Sequence, residues 1–150
     1  MTDIVDAQAR SQIMAKVPRF NSKPELALRR ALHALGFRFR LHRADLPGRP
    51  DVTLPRFRAT IFVHGCFWHR HKGCVRTTTP ASRADFWLDK FERNQARDLR
   101  VRQALLESHW RVAIVWECAV RSDSAAVAAA ISRWLKSDET ELEFPLRRDA

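Results

Sequence analysis

Three cysteines and their neighbours set the tightest limit on how this chain can fold. Cys66 and Cys74 lie in an irregular stretch, Gly65–Ala81, that has little apolar material of its own; Cys118 stands two residues after the apolar run Trp110–Trp116. The first ten residues carry Asp3 and Asp6 and no apolar signal region. An odd cysteine count in such a chain argues against a disulfide framework. Two readings remain. Cys66, Cys74 and Cys118 with His71 make a complete tetrahedral set for one structural zinc ion, with His69 competing as the imidazole. Such a site would pin the irregular loop to the end of a core strand and add folding free energy directly. Alternatively the thiols are buried as small apolar side chains.

Around this segment the pattern is regular. Ser22-Lys23-Pro24-Glu25 has the spacing of a capping box, Leu28, Leu32 and Leu35 fall on one helical face, and Gly36 stands where a helix stops. Phe37, Phe39 and Leu41 alternate with Arg38, Arg40 and His42, which predicts a strand with one buried and one basic face. Leu46–Pro50 reads as a turn that delivers Asp51 to a short strand, Asp51–Leu54, and Ala59–His64 as a buried strand. Ser82 with Asp85 opens a long helix to about Ser108, with Asn94 as a candidate break; Trp110–Trp116 is a strand and Ser124–Lys136 an alanine-rich helix. This order predicts an α/β fold, a mixed β-sheet flanked by helices. Without an internal linker, residues 1–150 read as a single domain. Its first twenty residues are expected to form a mobile arm with helical character over Asp6–Val17, and residues 137–150 a loosely ordered tail.

Charge narrows the partners. Lys and Arg total 27 against 17 Asp and Glu, a net +10, and twelve of the cations lie between Arg10 and Arg58. A field of that sign suits phosphate contacts and points to nucleic acid. No apolar run approaches the roughly 20 residues that span a bilayer, so the expectation is a cytoplasmic protein without a membrane partner.

Gly48-Arg49-Pro50-Asp51 places a carboxylate at a strand end, where it could fix a hard cation for phosphodiester hydrolysis. An aspartate beside proline also commonly caps a turn. The Glu/Asp-x-Lys half of the usual nuclease motif is missing from Ile61–His64. In its place stands Phe62-Val63-His64-Gly65-Cys66-Phe67-Trp68-His69-Arg70-His71, aromatics, imidazoles and a thiol in one run. Together with Gly48–Asp51, Phe86-Trp87-Leu88-Asp89-Lys90, Asn94-x-x-Arg97-Asp98 and Trp116-Glu117-Cys118, this run resembles the very short patch repair (Vsr-type) DNA mismatch endonucleases. The match extends in order from about Arg10 to Val120.

The resemblance implies a restriction-endonuclease-like core and a set of roles. Asp51 would coordinate catalytic magnesium, with the Val63 backbone carbonyl as a further ligand; two ions are expected. His69 would be the general base, paired with Asp98, while Glu25 and His64 would orient metal-bound water or assist at the phosphate. Phe67, Trp68 and Trp87 would wedge between bases, and Lys90, Asn94, Arg19 and Lys23 would contact DNA. Glu25 is equally explained by the capping box, and Trp87 by packing against Phe91. The implied activity is a nick 5′ to the thymine of a T:G mismatch left by 5-methylcytosine deamination, made by a monomer that mismatch-repair proteins could recruit. Two rivals share these features: a zinc-stabilised DNA-binding module without catalysis, and a magnesium-dependent nuclease of broader specificity.

Overall fold

The computed structural model describes residues 21–145. The helix expected over Asp6–Val17, Arg19 with the rest of the arm, and the last five residues of the tail lie outside them. Helix α1 (Lys23–Ala34) begins close to the capping-box pattern: the Ser22 hydroxyl accepts the Glu25 amide at 3.4 Å. The Glu25 carboxylate reaches back one residue further than that motif requires, to the Asn21 amide at 3.1 Å. Leu28 and Leu32 are fully buried, whereas Leu35 caps the helix and, having left its periodicity, is exposed.

The strands are β1 (Arg40–Leu41), β2 (Val52–Leu54), β3 (Ala59–His64), β4 (Arg111–Trp116) and β5 (Glu141–Phe144). They form one sheet in chain order, antiparallel from β1 to β3 and parallel from β3 to β5. Helices α2 (Cys66–His69) and α3 (Ala84–Glu107) make the crossover from β3 to β4, and α4 (Glu117–Ser122) and α5 (Ser124–Leu135) that from β4 to β5. The fold is thus the expected mixed sheet with flanking helices. Alternation along β3 decides which side each residue serves. Ile61 faces a core with Leu28, Leu32, Ala113, Val115, Val127 and Ile131, beneath α1 and α5. Phe62 faces the opposite cluster, with Val112, Ile114, Trp116 and Leu105 of α3. His64, two residues on, therefore emerges at the end of β3 on the side of α3.

Four details depart from the sequence expectations. Only Arg40 and Leu41 of the predicted Phe37–His42 strand pair, because β2 is three residues long and engages just two of them; Phe37 and Phe39 pack half-buried against the core instead. Helix α3 runs unbroken through Asn94, and its first turn follows Arg83 in a left-handed conformation rather than a Ser82 cap. Helix α2, inside the stretch read as irregular, and helix α4 were not anticipated. The tail expected to be loose contributes β5, which covers the edge of β4 and packs Leu142 and Phe144 against the core. Arg111 ties the connection down, donating to the carbonyls of Trp134, Ser137 and Glu139 at 2.6, 3.0 and 2.9 Å.

Candidate active site and thiol cluster

The turn before β2 is built to aim Asp51. Gly48 holds φ +72°, and a Cβ there would collide with Val101 of α3, so only glycine lets Leu46–Pro50 lie against that helix. Asp51 then points across to β3, where its Oδ2 accepts the Val63 amide at 2.7 Å. Facing it is Glu25 from α1, buried, whose Oε2 accepts from Arg29 at 3.0 Å and lies 3.1 Å from His42 Nε2. Ligand atoms of Glu25, His42 and Asp51 all fall within 4.8 Å of one another. Burial, and the Glu25 carboxylate beside it, push Asp51 up to about 7. Two facing carboxylates that resist joint ionisation fit a hard cation, which would relieve their repulsion.

On the other wall His69 Nδ1 lies 2.6 Å from Asp98 Oδ2. The carboxylate fixes the proton on Nδ1 and leaves the Nε2 lone pair as the ring's basic site. The ring of His64 stacks on His69 with centroids 3.8 Å apart and planes 8° apart. Burial, reinforced by His69, Arg102 and Arg97, holds His64 well below the ordinary histidine range, so it stays neutral. Glu25, Asp51, Val63, His64, His69 and Asp98 all line one cleft of about 600 Å³. The candidate catalytic residues, drawn from α1, the turn before β2, β3, α2 and α3, thus converge.

Cys66, His71, Cys74 and Cys118 form a second gathering, with one donor atom from each inside a 4.8 Å span. His71 Nδ1 is 3.6 Å from Cys66 Sγ and 3.4 Å from Cys118 Sγ, while its ring stacks on Trp116 at 4.3 Å. The structure thereby separates the two imidazoles: His71 joins the thiols and His69 the cleft. Burial pushes the Cys66 thiol up, against the opposing hydrogen bond from the Cys118 amide. For Cys74 burial opposes ionisation, but hydrogen bonds from the Arg76 amide and the other two thiols bring it below its ordinary value. One sulfur accepting from two thiols is an arrangement ready for a metal cation. Glu117 locks the entry to the cluster, its Oε1 accepting the Cys66 amide at 3.0 Å.

The aromatic group lies beside both. Phe67 and Trp68 are half-buried, with centroids 5.1 Å apart, and Trp87 is buried beneath them at 5.7 and 5.9 Å. Lys90 Nζ lies 5.7 Å from the Trp68 ring centre, and Asn94 Nδ2 donates to the Trp68 carbonyl at 3.4 Å. Lys23 is exposed on the first turn of α1. Sequence reasoning missed His42, read as part of a basic strand face, as well as Arg29, Glu117 as a support for Cys66, and Arg102.

A family model described as DNA mismatch endonuclease Vsr matches residues 2–76. The chain is 49% identical over 131 residues to the type II nicking enzyme V.XorIIP of Xanthomonas oryzae pv. oryzae, covering 87% of this chain and 95% of the relative. It is 40% identical over 136 residues to the DNA mismatch endonuclease Vsr of Escherichia coli, covering 91% and 86%. With the type II nicking enzyme V.NmeAIP of Neisseria meningitidis it shares 37% identity over 122 residues, 81% and 86% of the two chains.

Proposed function

The chain belongs to the DNA mismatch endonuclease Vsr family, and from that premise we propose that it nicks one strand of duplex DNA 5′ to the thymine of a T:G mismatch. The observation that carries the proposal is the convergence of Asp51 and His69, with their partners Glu25 and Asp98, on a single cleft beside exposed edges of Phe67 and Trp68.

Asp51 and the Val63 backbone carbonyl would hold magnesium, of which two ions suit the reaction. When bound, magnesium neutralises charge on the phosphate and makes water more acidic. The remaining chemistry belongs to the chain. His69, its Nδ1 proton held by Asp98, presents Nε2 to take the proton of the attacking water. The imidazolium so formed is stabilised by the Asp98 carboxylate, and His64, kept neutral, stacks against it without repulsion. Glu25 is held on one oxygen by Arg29 and Asn21, which fixes the carboxylate that would orient a water molecule near Asp51. His64 would assist at the scissile phosphate.

Zinc is the ion we assign to the thiol cluster. Zn–S and Zn–N bonds of about 2.3 and 2.0 Å in a tetrahedron put neighbouring donors roughly 3.5–3.8 Å apart. The 3.4 and 3.6 Å separations around His71 sit at that spacing. Phe67 and Trp68 form the leading edge of the wedge. Trp87 is its floor, and it reaches DNA only where the other two rings shift off it. Lys23, Lys90, Asn94 and Arg19 supply backbone contacts; Arg19 lies outside the described residues. We further propose a monomer acting in the cytoplasm, with mismatch-repair proteins as recruiting partners. Among the described residues no helix is long and apolar enough to cross a membrane.

A nicking assay with magnesium on duplexes carrying T:G, T:A and other mispairs tests this. Cleavage confined to T:G, 5′ to the thymine, is the expected result. Absence of any cleavage would favour the DNA-binding module, and equal cleavage of all duplexes the broader nuclease.

A further inference from the structure

Arg102 stands one turn beyond Asp98 on α3 and lines two cavities at once. One is the cleft already described. The other, of about 240 Å³, continues from it past His64 and His69 to Trp116 and Glu143. The two adjoin at the imidazole pair, where His64, His69, Asp98, Arg102 and Ile114 line both. In the smaller one Arg102 is the sole Lys or Arg among the lining residues described.

The guanidinium is held loosely. It lies 3.6 Å from Glu141 Oε1 and 3.7 Å from Glu143 Oε1, ionic contacts too long for hydrogen bonds, and its side chain is 35% exposed. Glu143 is itself anchored through its other oxygen, which accepts the Trp116 indole N–H at 3.3 Å. An arginine fork whose donors are aimed at two carboxylates, but not engaged at hydrogen-bond length, matches the two non-bridging oxygens of a phosphodiester.

We propose that Arg102 binds the DNA phosphodiester adjoining the one that is cut, and that Glu141 and Glu143 hold its guanidinium in place until the strand takes it over. This rests on the reading that the cleft cuts DNA. It requires opposite effects from the two partners. Loss of Arg102 removes a phosphate contact. Loss of charge at Glu143 removes a competitor for Arg102 and a repulsive neighbour of the phosphate.

Binding of the full, zinc-loaded chain to a T:G duplex, measured without magnesium across a salt series, provides the test. For Arg102→Ala the slope of log Kd against log salt should fall by roughly one phosphate contact, with Kd weakened about fivefold or more near physiological salt. Arg102→Lys should restore the slope, since lysine also serves phosphate as a point charge. Glu143→Gln, which keeps an acceptor for the Trp116 indole, should tighten binding about two- to threefold, a small ion-pair-sized effect. In an Arg102→Ala background the same change should gain less, because only the relief of repulsion remains. An unchanged slope in Arg102→Ala, a lysine variant no better than alanine, or Glu143→Gln binding no tighter than the parent would each overturn the proposal. Failure of the parent to bind or nick DNA would instead overturn the functional reading on which it rests.

Discussion

Cys66 and His69 sit three residues apart on the single turn of α2, yet they serve opposite environments. Cys66 turns into a knot of soft donors, with buried His71 and half-buried Cys74 and Cys118, whose four ligands would fill a tetrahedral site. His69 turns into an open cleft whose other walls carry the hard oxygens of Asp51 and Glu25. Soft thiolate and imidazole sets favour zinc and make closed structural sites; carboxylates at a cleft favour magnesium and leave room for phosphate and water. The pairing has a mechanical consequence. Because the knot fixes one end of α2, with Glu117 gripping the Cys66 amide, the imidazole at the other end is delivered to Asp98 by a rigid support rather than by a loop.

The difference is most sharply exposed by removing one donor from each region. Cys118→Ser should release the metal and the fold together. Apparent zinc-binding free energies on the order of 10 kcal/mol in small sites match the whole stability of an ordinary domain, about 5–15 kcal/mol. Metal analysis of the purified variant alongside its thermal unfolding gives the answer, and a protein that melts like the parent with no bound zinc would deny the knot its structural role. Asp51→Ala should do the reverse. Nicking should drop roughly 10³-fold, about 4 kcal/mol of transition-state stabilisation. DNA affinity and melting temperature should stay close to the parent's. His69→Ala should cost about 10²–10⁴ in rate, the range of a positioned general base. Retained nicking in the Asp51 variant would remove that carboxylate from the chemistry.

A smaller effect separates the cleft from the wedge beside it. Phe67→Ala with Trp68→Ala deletes the half-exposed rings and leaves Trp87 and Phe91 as a buried floor. With stacking worth about 1–3 kcal/mol per base, the preference for T:G over T:A should shrink by roughly one to two orders of magnitude. Circular dichroism should show the fold intact. Competition between the two duplexes in one reaction measures the preference, and an unchanged ratio would assign mismatch selection elsewhere.

The regions also differ in how far residue order reveals them. Helix α1 and strands β3 and β4 follow from local rules, a capping box with leucines at helical spacing and two apolar runs. The residue types of both centres were readable as well. Residue order alone left His69 and His71, two positions apart in one run, competing for the thiols; the family resemblance gave His69 the role of base and left His71 to the metal set. Conformation decides it: Arg70 takes a left-handed φ of 58° and turns the chain back, so that the His71 amide donates to the Cys66 carbonyl at 3.0 Å and its ring meets the thiols. Strand β5 was hidden because Glu141 and Glu143 alternate with only two apolar residues. Pairing with β4, the packing of Leu142 and Phe144, and the hydrogen bonds of Arg111 to the preceding connection give such a segment its place. Arg102 was hidden for a related reason, being one of several arginines on a helix with few buried positions.

Burial of Asp51 and the repulsion from Glu25 give the fold a pH dependence. Asp51 titrates near 7 in the folded protein, raised from an ordinary value of 3.8. Below about pH 4 its carboxyl is protonated in both folded and unfolded chains, and it has no effect on stability. Between about 4 and 7 the unfolded chain gives up that proton while the folded one keeps it, so stability falls as pH rises; above 7 the penalty is complete and constant. Asp51→Asn retains an acceptor for the Val63 amide without the charge. In magnesium-free buffer its melting temperature should therefore draw ahead of the parent's from pH 5 to 7 and hold that lead at pH 8, by about 3 °C for each kcal/mol recovered. Comparing the two proteins cancels the acid sensitivity of the thiolates, which they share. Magnesium at pH 8 should raise the parent and not the variant, closing the gap. A gap independent of pH, or one that magnesium leaves open, would show that the carboxylates do not form a cation site, and the contrast between knot and cleft would lose its second half.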